Sequence, residues 1–443
     1  MTSEYFWFIL RLTAVTAGFA VLHLYIWHRL VATTLPKGSA ARRCATAALA
    51  LLLILGLAAR LLVPSEAPMW LQKAVGWPGH LWFGFVIYLL ALLVLAEPLR
   101  WWWNRRGGRE PANARTQPET EPEAARAHKD TVTDTSSAEA DREPAPESAS
   151  TPGTGSETEA EAPPGLPRRT VISRAIAIGT VGATSATVGY GSYEAWSKPR
   201  VRTLEIPVDR LPASADGYRI AVVGDLELGA FRGREFCRRI VEQVNGTSPD
   251  MIAVVGDLVN NSVEQLESAT EPLAGLAARD GSYFVTGNHE HYVGAQQWID
   301  RVADLGVMPL PNQRVELPGF DLAGVNDLAV QKRQLEGEVG PDLSRALGGR
   351  DPDRASVLLA HQPDIVRHAM DWSVDLQLSG HSHGGQMWPN HFSAAMSNIQ
   401  VDGLDRYDGT RLYVTNGVGT SGPPLRIGAP PEIAVVTLRS PGA

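Results

Sequence analysis

The sequence predicts an α/β domain carried behind an N-terminal region of membrane-spanning helices, and three observations carry that reading. The first hundred of the 443 residues are dominated by three apolar runs of membrane-crossing length. Beyond residue 200, short apolar runs alternate with segments of helical periodicity, the pattern of βαβ units. Those short runs end in clusters of Gly with Asp, Asn or His, at the strand ends where α/β folds place their chemistry.

The membrane region is assigned to residues 1–103. Its runs cover 6–27, broken only by Arg11 and His23, then 45–63 with Arg60 near the end, then 80–96, closing on Glu97. Each is near the ~20 residues a helix needs to cross the hydrocarbon core. Trp70, Trp77, Trp82 and Trp101 to Trp103 cluster toward the ends, as an interfacial aromatic belt does. Arg29, Lys37, Arg42 and Arg43 follow the first run, and Arg100, Arg105, Arg106 and Arg109 follow the third. The loop between the second and third runs has only Lys73, beside Glu66. By the positive-inside rule the two basic segments are cytoplasmic and the N-terminus lies outside.

Residues 104–167 change character. They are rich in Glu, Ala, Pro, Thr and Ser and nearly lack large apolar side chains, so they read as a disordered linker that cannot offset its ordering entropy. Residues 168–196 follow, where Arg168 and Arg169 precede an uncharged run over 175–193. That is either a fourth spanning helix with a basic cytoplasmic flank or an internal segment like a twin-arginine export signal. Both readings put the next domain outside the cytoplasm, on a cell membrane that the chain crosses several times. No small-residue cleavage site follows, so the anchor is expected to stay attached.

Residues 200–443 read as the α/β domain. An edge strand is predicted at 204–208, a buried strand at 218–223 ending in Gly224-Asp225, and a helix at 235–244. Strands at 251–255 and 282–286 end in Gly256-Asp257 and Gly287-Asn288-His289. Downstream come Ala360-His361, Gly380-His381-Ser382-His383 and Asn416-Gly417, each again after an apolar run. Asp, Asn and His supply oxygen and imidazole ligands for divalent transition metals. His381 and His383 stand two residues apart, which on an extended segment puts both imidazoles on one side. The net charge of −8 argues against a nucleic-acid partner, which would call for a basic face. Cys44 and Cys237 have no neighbours at metal-ligand spacing and read as free thiols.

With Asp225-Leu-Glu227, GDLVNN at 256–261, GNHE at 287–290, His361 and GHSH at 380–383, the chain resembles the calcineurin-like metallophosphoesterases. LSGHSHGGQMW, YVTNGVGTSGPPLRI and PPEIAVVTL make it look closest to their membrane-tethered bacterial branch. The resemblance implies a four-layer α/β sandwich, two sheets flanked by helices, with a two-metal centre at the strand ends. It implies that Asp225 and His383 hold one metal, that Asp257 bridges, and that Asn288, His361 and His381 hold the other. His289 would stand beside the phosphate and stabilise or protonate the leaving oxygen. Two divalent ions, Mn, Fe or Zn, would clamp a phosphoryl group and generate hydroxide from bound water near neutral pH.

Where the family pattern DxH has its histidine, this chain has Glu227. A carboxylate is a competent ligand that favours a harder metal. The other readings of Glu227 are an outer-shell group, or the mark of a degenerate module that binds phosphorylated ligands with little turnover. Asn260 stands where many members have a second Asp, in a supporting position. Arg426 is a further candidate contact to phosphate, with Asn288 and His289. His291 is either a substrate contact or a surface histidine, and Asn326-Asp327 reads as a turn. The expected activity is hydrolysis of a phosphomonoester, phosphodiester or lipid-linked phosphate, by a phosphatase or phosphodiesterase tethered beside lipid.

Overall fold

A computed structural model describes residues 2–63, 65–106 and 168–441. The predicted linker lies outside the described residues except for 104–106, which continue a helix. Four long helices come first: α1 (Thr2–Trp27), α2 (Ala40–Leu62), α3 (Met69–Arg106) and α4 (Arg168–Trp196). Among the described residues, three segments are long and apolar enough to cross a membrane, namely Ala40–Leu62, Met69–Trp103 and Thr170–Trp196. Ser39 accepts from the Arg42 N–H and so starts α2. Gly79 lets α3 approach α2 closely, because a Cβ there would collide with Ala59. Phe19, Ile26, Trp82, Val86, Leu89 and Leu93 make the bundle's buried centre.

The two ends of this bundle differ. At one end Glu97 accepts from Tyr25 at 2.8 Å and Arg29 at 2.7 Å, and Arg174 donates to the Thr34 carbonyl at 2.9 Å. The other end meets the α/β domain. There Asn261 donates to Gln72 at 3.3 Å, Trp77 stacks on Trp196 and His80 stands edge-on to Phe231. Tyr88 donates to the Trp388 carbonyl at 2.7 Å, and the Arg426 N–H donates to Gly191 at 2.9 Å. A Cβ on Gly84 would collide with Leu425, and one on Gly191 would come within 2.7 Å of Ile427. The domain is therefore seated on α3 and α4.

The domain holds twelve strands: β1 (Arg200–Pro207), β2 (Arg219–Val223), β3 (Met251–Val255), β4 (Ser282–Val285), β5 (Met308–Pro309), β6 (Gln313–Leu317), β7 (Phe320–Gly324), β8 (Ala355–Leu359), β9 (Leu376–Ser379), β10 (Gly403–Tyr407), β11 (Thr410–Val414) and β12 (Glu432–Arg439). They form two six-stranded sheets, ordered β1-β12-β2-β3-β4-β5 and β10-β11-β9-β8-β7-β6. β2, β3 and β4 run parallel, as do β7, β8, β9 and β11.

The period-2 alternation of the strands sets the layers. Ile220, Val222, Ala253 and Val255 face the other sheet, where Leu322, Val357, Leu359 and Leu378 meet them. Ala221, Val223, Ile252, Val254 and Phe284 face away, toward α5 (Arg234–Asn245), α6 (Val263–Thr270) and α8 (Ala295–Asp304), which follows α7 (Asn288–Val293). On the second sheet's outer face, Ala323 and Leu358 pack with Ala346, Leu347 and Ala369. Those come from α10 (Leu343–Leu347) and α11 (Val366–Ala369), which follow α9 (Ala329–Arg333). The last helix is α12 (His391–Ser397). The result is the expected four-layer sandwich of helix, sheet, sheet and helix. Burying each Val, Leu, Ile or Phe of this core stabilises it by about 1.5–3 kcal/mol.

Candidate metal centre

Each predicted metal ligand, and His289, follows a strand end on the same rim. Asp225 and Glu227 follow β2, Asp257 follows β3, Asn288 and His289 follow β4, His361 follows β8, and His381 and His383 follow β9. Five of them turn through the left-handed region: Asp225 (φ 56°), Glu227 (φ 54°), Asp257 (φ 49°), His381 (φ 75°) and His383 (φ 53°). For non-glycine residues this costs on the order of 1–3 kcal/mol each and persists where the surroundings over-determine it. They do here. The Asp225 N–H donates to Gly256, Glu227 to Asp257 and Leu228 to Leu258, all at 2.9–3.0 Å. Gly256 is required for the close approach, since a Cβ on it would stand 2.6 Å from the His361 ring.

Asp257 is the centre of the arrangement. Its Oδ2 lies 3.1 Å from His361 Nε2 and 3.8 Å from His289 Nε2, and its Oδ1 accepts from the His289 N–H at 2.9 Å. It belongs to both groups whose ligand atoms all lie within 4.8 Å of one another: Asp257 with His361 and His381, and Asp257 with Glu227 and His289. His361 Nδ1 donates to the Val255 carbonyl at 2.8 Å, which leaves Nε2 as the ring atom that faces the rim. His381 Nδ1 is 3.2 Å from that Nε2. On the other side His383 Nε2 stands 3.5 Å from Asp225 and 3.3 Å from Glu227.

Glu227 is thus inside the constellation. Its side chain is 1% exposed, and neither carboxylate oxygen accepts a hydrogen bond among the described residues. Asn288 Oδ1 is likewise buried without a donor. Buried oxygens left unsatisfied cost about 1–3 kcal/mol each, more when charged, and a cation relieves that cost. The donor set of carboxylate, amide oxygen and imidazole therefore fits divalent metal ions.

The electrostatics agree. Burial pushes the Asp225 carboxyl up, against the pull of His383 and His361. Burial acts the same way on Asp257, but the charges of His289 and His361 outweigh it and hold this carboxyl far below the usual range. Burial lowers His289, yet Asp257 and Glu227 override it and push the ring up to about 9. His361 is raised as well, and His381 falls to about 3 through burial and the like charge of His361. His289 and His361 are thus the imidazoles that answer the charge of the carboxylates.

Two buried groups have roles that the sequence alone does not assign. Glu290 is fully buried and accepts from the N–H groups of Gly287 (2.6 Å), Asp257 (3.1 Å), Leu258 (2.7 Å) and Val259 (3.2 Å). It ties the Asn288 loop to the Asp257 loop, and its place three residues after Gly287, as in a capping box, was the available signal. Arg232 is buried between the rings of Trp196 and Phe236, and nothing in its spacing marks it. Asn260 does support the site: its Oδ1 accepts from His289 Nδ1 at 2.5 Å.

Arg426 differs from the expectation of a phosphate contact. It is 0% exposed, and its guanidinium donates to the carbonyls of Gly419, Ala429, Asn416 and Gly417. Every nitrogen is spent on holding the 416–429 loop, so none is directed at the rim. His291 is buried between Thr286 and Glu338 and is not a surface residue. Asp327 accepts from the Ala329 N–H at 2.6 Å, which makes the expected turn.

Residues 218–385 match the family described as calcineurin-like phosphoesterase. A transmembrane protein with metallophosphoesterase domain from Danio rerio is 36% identical over 58% of this chain and 61% of its own length. An uncharacterized metallophosphoesterase of Helicobacter pylori is 36% identical over 58% of this chain and 70% of its own. Another from Bacillus subtilis is 30% identical over 58% of this chain and 93% of its own. The match thus spans about three fifths of the zebrafish relative and nearly all of the Bacillus one.

Proposed function

The chain belongs to the calcineurin-like phosphoesterase family, and from that premise we propose that it is a metal-dependent phosphoester hydrolase on the outer face of a membrane. One observation carries the reading: Asp225, Glu227, Asp257, Asn288, His361, His381 and His383 follow strand ends on one rim, where the buried oxygens of Glu227 and Asn288 accept no hydrogen bond among the described residues. In this reading Asp225, Glu227 and His383 hold one ion, Asn288, His361 and His381 hold the second, and Asp257 is shared. Two divalent ions, when bound, supply Lewis acidity toward phosphoryl oxygens and lower the pKa of water.

The protein's own groups do the rest. The left-handed turns of the rim fix the ligands before substrate arrives. A water oxygen bonds to phosphorus in line and releases a proton to solvent as the bond from phosphorus to the leaving oxygen breaks. His289, held by Asn260, stands to give the leaving oxygen a proton and regain one from solvent. Phosphomonoesters, phosphodiesters and lipid-linked phosphates share this chemistry.

Sidedness rests on the bundle. Arg29, Arg42, Arg100, Arg105 and Arg174 lie toward the end away from the α/β domain. Basic residues favour the cytoplasmic side, which puts the domain outside on a chain that crosses the membrane more than once.

The test is hydrolysis of p-nitrophenyl phosphate and bis(p-nitrophenyl) phosphate by the full chain in detergent. Manganese, a chelator, Asp257→Asn and Glu227→Ala are compared. Turnover that needs metal and falls in both variants supports the reading. A folded, metal-loaded protein that binds phosphate without turnover would replace it with a binding module.

A further inference from the structure

A groove of about 830 Å³ opens beside the metal rim. His381 and His383 stand at its inner end, Phe83 and Ile87 of α3 form one wall, and Phe392 and Met396 of α12 form the other. None of its lining residues is Lys, Arg, Asp or Glu. The whole segment from His381 to Val401 carries no Asp, Glu, Lys or Arg, in a chain where such residues make up 20%. Yet this segment is not buried: Trp388 is 57% exposed, Phe392 63% and Met396 89%.

The height of the groove follows from α3. The 38 residues of that helix extend ~57 Å at 1.5 Å per residue, well beyond the ~30 Å of a hydrocarbon core. Glu97, with Arg29 and Arg100, marks the inner boundary. Counting back ~20 residues puts the outer boundary near Trp77, which stacks on Trp196 at the mouth of α4. Phe83 and Ile87 then lie roughly 9–15 Å below that boundary, inside the outer leaflet. Tyr88 binds the Trp388 carbonyl and Gly84 lies against Leu425. The uncharged loop and α12 are therefore seated at the same depth, where exposed Trp, Phe and Met meet acyl chains rather than water.

We propose that this groove holds the hydrocarbon tail of a phosphorylated amphiphile whose phosphate stands at the metal rim. The substrate then enters sideways from the outer leaflet. This deepens the hydrolase reading and rests on it for the fate of the phosphate. A groove without basic residues has no partner for further phosphates, so the class indicated is a lipid with a single terminal phosphate. Its hydrolysis forms a bond from water oxygen to phosphorus, breaks the bond from phosphorus to the lipid oxygen, and leaves that oxygen protonated as a membrane-borne alcohol. A sugar phosphate gains nothing from these walls.

The experiment uses the full chain in phosphatidylcholine nanodiscs with manganese. One probe is the phosphonate analogue of phosphatidic acid, which cannot be hydrolysed, with a diazirine in its acyl tail. The other is diacylglycerol with the same tail. After irradiation, the phosphonate is expected to label segments 83–88 and 387–397 about tenfold more than diacylglycerol does. Equal labelling by both probes, or labelling confined to other segments, overturns the proposal.

A second arm compares phosphatidic acid in the nanodisc with water-soluble p-nitrophenyl phosphate. Phe392→Asp and Met396→Asp should each lower the ratio of kcat/KM for lipid over soluble substrate about tenfold. Both side chains lie outside the packed core, and turnover of the soluble substrate by each variant reports whether its site is still folded. An unchanged ratio overturns the proposal. Selective labelling without turnover of either substrate would uphold the groove and overturn the hydrolase reading.

Discussion

The metal rim and the seam between the α/β domain and the bundle are built on opposite plans. The rim gathers polar side chains on strained left-handed turns, cross-braced by backbone bonds from one strand end to the next. The seam gathers glycines and apolar side chains, with Gly84 against Leu425, Gly191 against Ile427 and Trp77 on Trp196. At the rim, chemistry fixes which residue must stand where. At the seam, only size and polarity are fixed. Removing a rim residue should therefore cost function without unseating the domain, while disturbing the seam should loosen the docking of the domain and leave the rim assembled.

The largest effect that can break this comparison is Asp257→Asn. Turnover of bis(p-nitrophenyl) phosphate should fall about a thousandfold, because the shared ligand and its charge are lost. The metal-free variant should still fold, with an unchanged circular dichroism spectrum. Arg426→Met is expected to do the reverse. Removing a buried guanidinium strands the carbonyls of Asn416, Gly417, Gly419 and Ala429, at about 3 kcal/mol. The readout is thermal unfolding, with any activity loss following the folded fraction.

A smaller effect belongs to His289 in the metal-free protein. Its ring is raised from 6.5 to about 9 in the folded state. The stabilisation from this group is complete below the unfolded pKa and is lost as pH rises through about 9. Between pH 7 and pH 10 the chelated protein should lose about 2 kcal/mol that His289→Gln does not lose. A parallel decline in the two proteins would remove the charge balance argued for the rim.

The smallest effect sharpens the seam. Gly84→Leu forces Leu425 away from α3, at about 1 kcal/mol. The Arg426 amide bonds to Gly191 of α4, so its hydrogen exchange should speed up about tenfold while manganese affinity stays constant.

The same contrast explains what was legible in the sequence. Asp225, Asp257, Asn288, His361 and the His381–His383 pair could be found because strand ends impose spacing and ligand chemistry restricts residue type. Glu227 was found as a departure at a motif position, and the fold brings it between His383 and His289. Arg426 was misassigned because an arginine in a Gly-Pro-rich loop looks free to meet phosphate. Only the folded loop shows five bonds to carbonyls. The seating of the domain on α3 and α4 was not legible at all. It depends on residues hundreds of positions apart, such as Tyr88 and Trp388, with no local pattern to join them.

The central claim is that this rim holds two metal ions bridged by Asp257. The most direct measurement is elemental analysis of manganese-loaded full chain, with electron paramagnetic resonance on the same sample, for wild type and Asp257→Asn. The account predicts about two manganese ions per chain as a magnetically coupled pair, with the coupling lost in the variant. One ion per chain, or two uncoupled ions that Asp257→Asn leaves unchanged, would contradict it.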